Sequence, residues 1–145
     1  MHPLASSLSF DDDVGRWPPD IAEKRGWIMH RREYPLIDVE FTAPGRTPLR
    51  LRLDASHWDD EPPRIELLNS AGEYLTVVPQ TPSSIFHGGP HPNTGRPFVC
   101  MAGVWQYHTH FSHLNTPWDQ YRGKPNYGLS EILTQIWNGW KKGTG

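Results

Sequence analysis

The sequence predicts an α+β domain: a four-stranded antiparallel meander with flanking helices and a long loop before the last helix. Three observations carry this. Apolar and polar residues alternate with a period of two in successive short segments from Ile37 onward, the pattern of strands with one buried face. Apolar residues recur at helical spacing from Leu129 to Trp140. The 145 residues include 15 prolines and 13 glycines, which interrupt helices and disfavour a helical bundle.

Taken in order, Met1 to Trp17 is rich in Ser and Asp, with an acidic run at Asp11–Asp13, and reads as a flexible N-terminal arm. The domain itself is expected over residues 18–145. Pro18-Pro19-Asp20 is a helix start, because proline is tolerated in the first turn. Ile21, Trp27 and Ile28 form an apolar stripe that extends the expected helix to about Arg32, weakened at Gly26. Ile37, Val39 and Phe41 alternate with Asp38 and Glu40 in a first strand. Pro44-Gly45 marks a turn. Leu49, Leu51 and Leu53 alternate with Arg50 and Arg52 in a second strand. Arg64–Leu68 makes a third and, after a turn at Asn69–Glu73, Tyr74–Val78 a fourth. Pro79 to Trp118 is irregular, and a structureless stretch of that length generally carries function. It holds the single cysteine and five of the eight histidines. Order returns in the helix from Leu129, where Lys141 and Lys142 complement the dipole and Gly143 can end the turn.

A chain of this length makes one domain with its own core. The formal charge of −2 gives no basic excess for a nucleic-acid backbone or an anionic membrane. One cysteine permits no internal disulfide and suits a reducing compartment. The N-terminus lacks the cationic and apolar regions of a signal peptide. No apolar run approaches the ~20 residues that cross a bilayer. A cytoplasmic protein that binds neither nucleic acid nor membrane is expected.

The chemistry-bearing residues lie in the irregular stretch. His91-Pro92-Asn93 is a turn: proline fixes its own φ and restricts His91, and Asn93 bonds its own backbone. Cys100 follows, with Gly95 between. The segment His91-Pro-Asn-Thr-Gly-Arg-Pro-Phe-Val-Cys100 resembles the active-site signature of ubiquitin-conjugating enzymes. That family runs a helix, a four-stranded meander, a His-Pro-Asn turn, the catalytic cysteine, a tryptophan-containing segment and a helix. The order here is similar, with Trp105 or Trp118 after Cys100, and Glu61-Pro62-Pro63-Arg64-Ile65 resembles the family's Pro-Pro entry to its third strand. The spacing from Asn93 to Cys100 is one residue shorter than usual in the family, the connection from the third strand to His91 is longer than in the eukaryotic enzymes, the stretch Gln106–Asn126 is unusual, and the family's later helices have no counterpart. In these departures the chain resembles the divergent conjugating-enzyme-like proteins of bacterial ubiquitin-like conjugation and cyclic-oligonucleotide antiphage (CBASS) operons.

The resemblance implies an acyltransferase that carries the C-terminal glycine of a partner as a thioester on Cys100 and passes it to an amine. The partner implied is a ubiquitin-like protein or the C-terminal tail of a cGAS-like nucleotidyltransferase, with or without a separate activating enzyme; no cofactor is expected. Asn93 is the implied donor to the oxyanion, and His91 shapes the turn. Asp119, positioned like the acidic residue that orients the incoming lysine in the family, is a supporting candidate, and so are His108 and His110 as groups beside the thiol. Two other readings remain. One is a non-catalytic binding module of the same fold. The other is a zinc site built from Cys100, His108, His110 and His113, since thiolate and imidazole are zinc's preferred ligands. His87-Gly88-Gly89 lacks the context of a phosphate loop. The ending Gly143-Thr144-Gly145 is not the di-glycine of a ubiquitin-like modifier.

Overall fold

A computed structural model describes residues 2–82 and 85–143; Thr144 and Gly145 lie outside the described residues. The fold is α+β, with a four-stranded antiparallel sheet flanked by helices. The strands are β1 (Trp27–Glu33), β2 (Leu36–Phe41), β3 (Leu49–Asp54) and β4 (Arg64–Leu68), in spatial order β1-β2-β3-β4.

The meander is displaced from the expected one by one strand. The helix from Pro18 was expected to reach Arg32 but ends early: α2 spans only Ile21–Arg25. Gly26 takes the left-handed φ of 70° that closes a helix. A Cβ there would lie 3.0 Å from the Thr42 carbonyl oxygen. The Gly26 carbonyl accepts from the Thr42 amide and hydroxyl, which starts the β1–β2 ladder. Trp27 therefore points into the core opposite Phe41, as a strand residue rather than a helical one. The strand expected at Tyr74–Val78 does not form; only Tyr74 bridges to Leu68. Asn69 Oδ1 accepts from the amides of Ala71 and Glu73 in a tight turn. Beyond that turn the edge of β4 is taken by other elements.

The period-two pattern in β2 and β3 puts Ile37, Val39, Phe41, Leu49, Leu51 and Leu53 on one fully buried face. Ile65 and Leu67 of β4 extend that face, in register with Leu53 and Leu51. The helix α4 (Leu129–Lys141) buries Leu129, Ile132, Leu133, Ile136 and Trp140 in the same core. Trp140 packs on Phe41 at 5.7 Å between ring centroids, and Trp137 meets Trp27 edge-on at 5.9 Å. The Arg25 guanidinium lies between the Trp27 and Trp137 rings, 5.2 and 4.9 Å from their centroids. The opposite face of the sheet is charged, with Arg50 forked on Asp38 through two 2.8 Å bonds.

The expected flexible arm is corrected outright. Pro3–Gly15 is a helix, α1, started by Pro3 and by His2 Nδ1 accepting from the Leu4 amide. It buries Ser6, Phe10 and Asp13. Phe10 meets Tyr34 edge-on at 5.6 Å. Asp13 Oδ2 accepts from the Leu129 amide at the start of α4, and Oδ1 accepts from Trp17 Nε1. The N-terminal segment is thus part of the domain, not a tail beside it.

The segment expected to be irregular contains short pieces: a two-residue ribbon of β5 (Phe86–His87) and β6 (Phe98–Val99), the helix α3 (Trp105–Thr109) and a 3-10 turn at Phe111–His113; further 3-10 turns follow at Trp118–Gln120 and Pro125–Tyr127. Trp118 packs on Trp58 and donates from Nε1 to the Asp59 carbonyl. Among the described residues, no helix is long and apolar enough to cross a membrane.

Candidate active site around Cys100

The His91-Pro92-Asn93 turn is held by its own histidine. Asn93 donates its amide to His91 Nδ1 at 3.0 Å, and the His91 carbonyl accepts from the amides of Thr94 and Gly95. Gly95 takes φ 70°, a conformation that favours glycine. Because Nδ1 accepts, the proton sits on Nε2, which donates to the Gln106 carbonyl at 2.9 Å and lies 3.1 Å from Thr109 Oγ1. His91 is fully buried, and burial first of all pushes its pKa below the ordinary value. It is a neutral structural ring.

Gln106 carries this anchorage to the sheet. Its side-chain amide bonds both the amide and the carbonyl of Ile65 on β4, at 3.1 and 2.9 Å. At the far end of the turn, Arg96 forks on Glu66 of β4 through bonds of 3.0 and 2.8 Å. The chain then enters β6, where Phe98 and Val99 are buried, and the Cys100 amide donates to the Ile85 carbonyl at 2.6 Å. Cys100 is thereby fixed at the end of a ribbon tied to β4.

The Cys100 thiol is half-buried, and burial raises its pKa. Among the described residues its side-chain polar contact is His113 Nε2, 3.6 Å from Sγ. The His113 ring stacks on Tyr107 of α3, with centroids 4.0 Å apart and planes at 14°. Its Nδ1 makes no hydrogen bond to a described residue. A thiol beside an imidazole in this way can lose its proton to the ring and attack an electrophilic carbon.

The supporting histidines sit elsewhere. His108 Nδ1 donates to the Thr116 carbonyl at 2.8 Å, and Nε2 accepts from the Gly103 amide at 3.0 Å. Burial lowers its pKa. His110 Nδ1 accepts from the Ser112 amide and hydroxyl, and its ring stacks on Phe111 and Phe98. Its pKa is also lowered, first by burial and then by His113 and His87. Neither is the group on the thiol. Among the described residues, no group of three or more His, Cys, Asp or Glu is placed to hold a metal. At His108 one nitrogen is protonated and the other already accepts, so no lone pair remains on that ring for an ion. Asn93 is exposed, with its side-chain amide making no hydrogen bond to a described residue. Asp119 is exposed on the 3-10 turn that begins at Trp118. Sequence reasoning missed the parts played by Gln106 and Tyr107. Both fall on a five-residue helix too short to leave a periodic signal.

A hollow of about 410 Å3 lies elsewhere, between α1 and the start of α4, with Asp13, Trp17, Trp58, Lys124 and Glu131 among its walls. It does not include Cys100.

A family model described as "Y4jH-like: Y4jH family" matches residues 90–143, from the start of the turn to the end of α4. No curated protein matches the chain.

Proposed function

We propose that this chain is a thioester-forming conjugating enzyme of the ubiquitin-conjugating type, with Cys100 as the acceptor of a partner's C-terminal acyl group. The observation that carries the reading is the placement of a half-buried thiol by a His-Pro-Asn turn tied to the edge strand of a four-stranded antiparallel sheet. The order of α2, β1–β4, turn, cysteine, tryptophan and α4 supports it, because it is the order of that family.

In the reaction, the Cys100 sulfur attacks the carbonyl carbon of an activated C-terminal glycine, and the donor's thiol leaves. An amine then attacks the new thioester, the amide bond forms, and the Cys100 thiol is regenerated. Asn93 is the residue to donate to the oxyanion; loss of one such donor costs about 2.7–4 kcal/mol in other enzymes. His91 holds the turn, and Asp119 is the candidate to orient the amine. The partner is the tail of a cGAS-like nucleotidyltransferase or a ubiquitin-like protein, in a bacterial defence or conjugation system.

Intact-mass measurement of the protein from its own host, under non-reducing and mildly acidic conditions, tests the proposal. A protein-sized adduct is expected, removed by thiol or hydroxylamine and absent from Cys100→Ala. An adduct that survives Cys100→Ala, or a complex that forms without any thiol-labile bond, would replace the enzyme with a non-catalytic binding module.

A further inference from the structure

We propose that His113 is the base that takes the Cys100 proton, and that Tyr107 is the positioning residue that holds its ring. The inference rests on the nucleophilic role of Cys100 given above and adds the group that activates it.

The geometry selects His113 from five histidines in this part of the chain. His91 and His108 have both ring nitrogens committed to backbone groups. His87 Nδ1 lies 3.2 Å from the Gly89 carbonyl, and its ring stacks on Phe98. His110 is engaged with Ser112 and stacked between Phe98 and Phe111. His113 alone has a nitrogen on the sulfur, Nε2 at 3.6 Å. A half-buried thiol gains most from such a neighbour, because burial disfavours the free thiolate.

A catalytic imidazole is commonly oriented by a third group bonded to its second nitrogen. No carboxylate does so here: among the described residues, no salt bridge reaches His113. The Tyr107 ring, parallel at 4.0 Å, fixes the plane of the imidazole instead. Tyr107 is held in turn by the His108 ring, edge-on at 4.9 Å. The titratable groups facing His113 are Cys100 after β6, Tyr107 and His108 from α3, and His110 at 6.2 Å. A proton arriving on His113 therefore meets one imidazole held neutral in His108 and another in His110.

The step balances within the pair and the donor. The Sγ–H bond breaks and an Nε2–H bond forms on His113. The sulfur lone pair forms the C–S bond to the acyl carbon of the donor thioester. The intermediate collapses with cleavage of the donor's C–S bond, and the departing donor thiolate takes the proton from His113.

The test is the pH profile of alkylation of the intact protein by iodoacetamide, read by mass at Cys100. This reaction needs no acyl donor, so it separates the base from the acyl-transfer proposal. Wild type is expected to show an inflection at lower pH than the thiol's own. His113→Asn is expected to lose it and to react about tenfold or more slowly at neutral pH. Tyr107→Leu should show part of that loss, and Tyr107→Phe, which keeps the stack, should restore the wild-type profile. Superimposable profiles for wild type and His113→Asn would overturn the proposal. So would a wild-type profile with only the thiol's inflection, which needs no variant to fold. A His113-dependent profile in a protein that never forms an acyl adduct would leave the base standing and remove the conjugating enzyme.

Discussion

With Nδ1 accepting from Asn93 and Nε2 donating to Gln106, the His91 ring has no free lone pair for a second proton. Protonation would set an N–H against the Asn93 amide and charge a buried ring. The pKa is lowered by burial, and the sign of the consequence follows. A base with a depressed folded pKa contributes stability above its unfolded value, about 6.5, and that stability is lost as pH falls through the folded value. His108 and His110 act in the same direction. Asp13, raised chiefly by burial, acts in the opposite sense, since its carboxylate costs stability once ionised. An NMR titration should therefore place the His91 imidazole below the ordinary histidine value. A midpoint at or above that value would contradict the neutral assignment. Much of this residue's part was legible in sequence, because a His-Pro-Asn turn is local chemistry. The contact between His113 and Cys100 was not, since it depends on a 3-10 turn at Phe111–His113 that no periodicity announces.

At the scale of elements, α1 and α4 are joined by one carboxylate. Leu129 opens α4 with a free amide, the preceding Gly128 offers no side chain, and Asp13 of α1 supplies the missing acceptor. Asp13→Ala is expected to lower stability by about 0.5–2 kcal/mol, the range of lost caps. Urea unfolding would show it, and an unchanged midpoint would mean that the contact contributes nothing in solution. α4 was readable because its stripe is made of Leu, Ile and Trp at helical spacing. α1 was not, because two of its three buried residues are Ser6 and Asp13, which leave no apolar period to read. The strand β1 was hidden for a related reason. Trp27 and Ile28 look like neighbours on a helix, yet Trp27 is buried and Ile28 is exposed on the other side of a strand. The signal that decides between them is Gly26, whose φ of 70° ends α2 one residue earlier.

For the molecule as a whole, the N-terminal helix belongs to the body it was expected to trail behind. Deleting residues 1–17 removes Phe10, 1% exposed, and the carboxylate that caps α4. Loss of a buried Phe alone costs about 3–5 kcal/mol in other proteins. The truncated chain should unfold at clearly lower denaturant than the full one; equal midpoints would restore the reading of a solvated arm. The sheet and the last helix were legible as a whole because their patterns are periodic over many residues. The site was legible only as a list of residues, because its geometry is made by pieces two to five residues long.

Gln106 has a further consequence, at the border of the sheet. β4 is an outer strand, and such strands expose backbone groups on which a foreign chain can add. At Ile65 both groups are already occupied by one buried side-chain amide, which presents a donor and an acceptor as a neighbouring strand would. The same glutamine whose carbonyl steadies His91 thus plugs the place where self-association into extended aggregates would begin. The opposite edge, β1, relies instead on exposed Arg31, Arg32 and Glu33. The two borders oppose the addition of a strand by different physics: one by leaving no backbone vacancy at Ile65, the other by the cost of stripping water from charges.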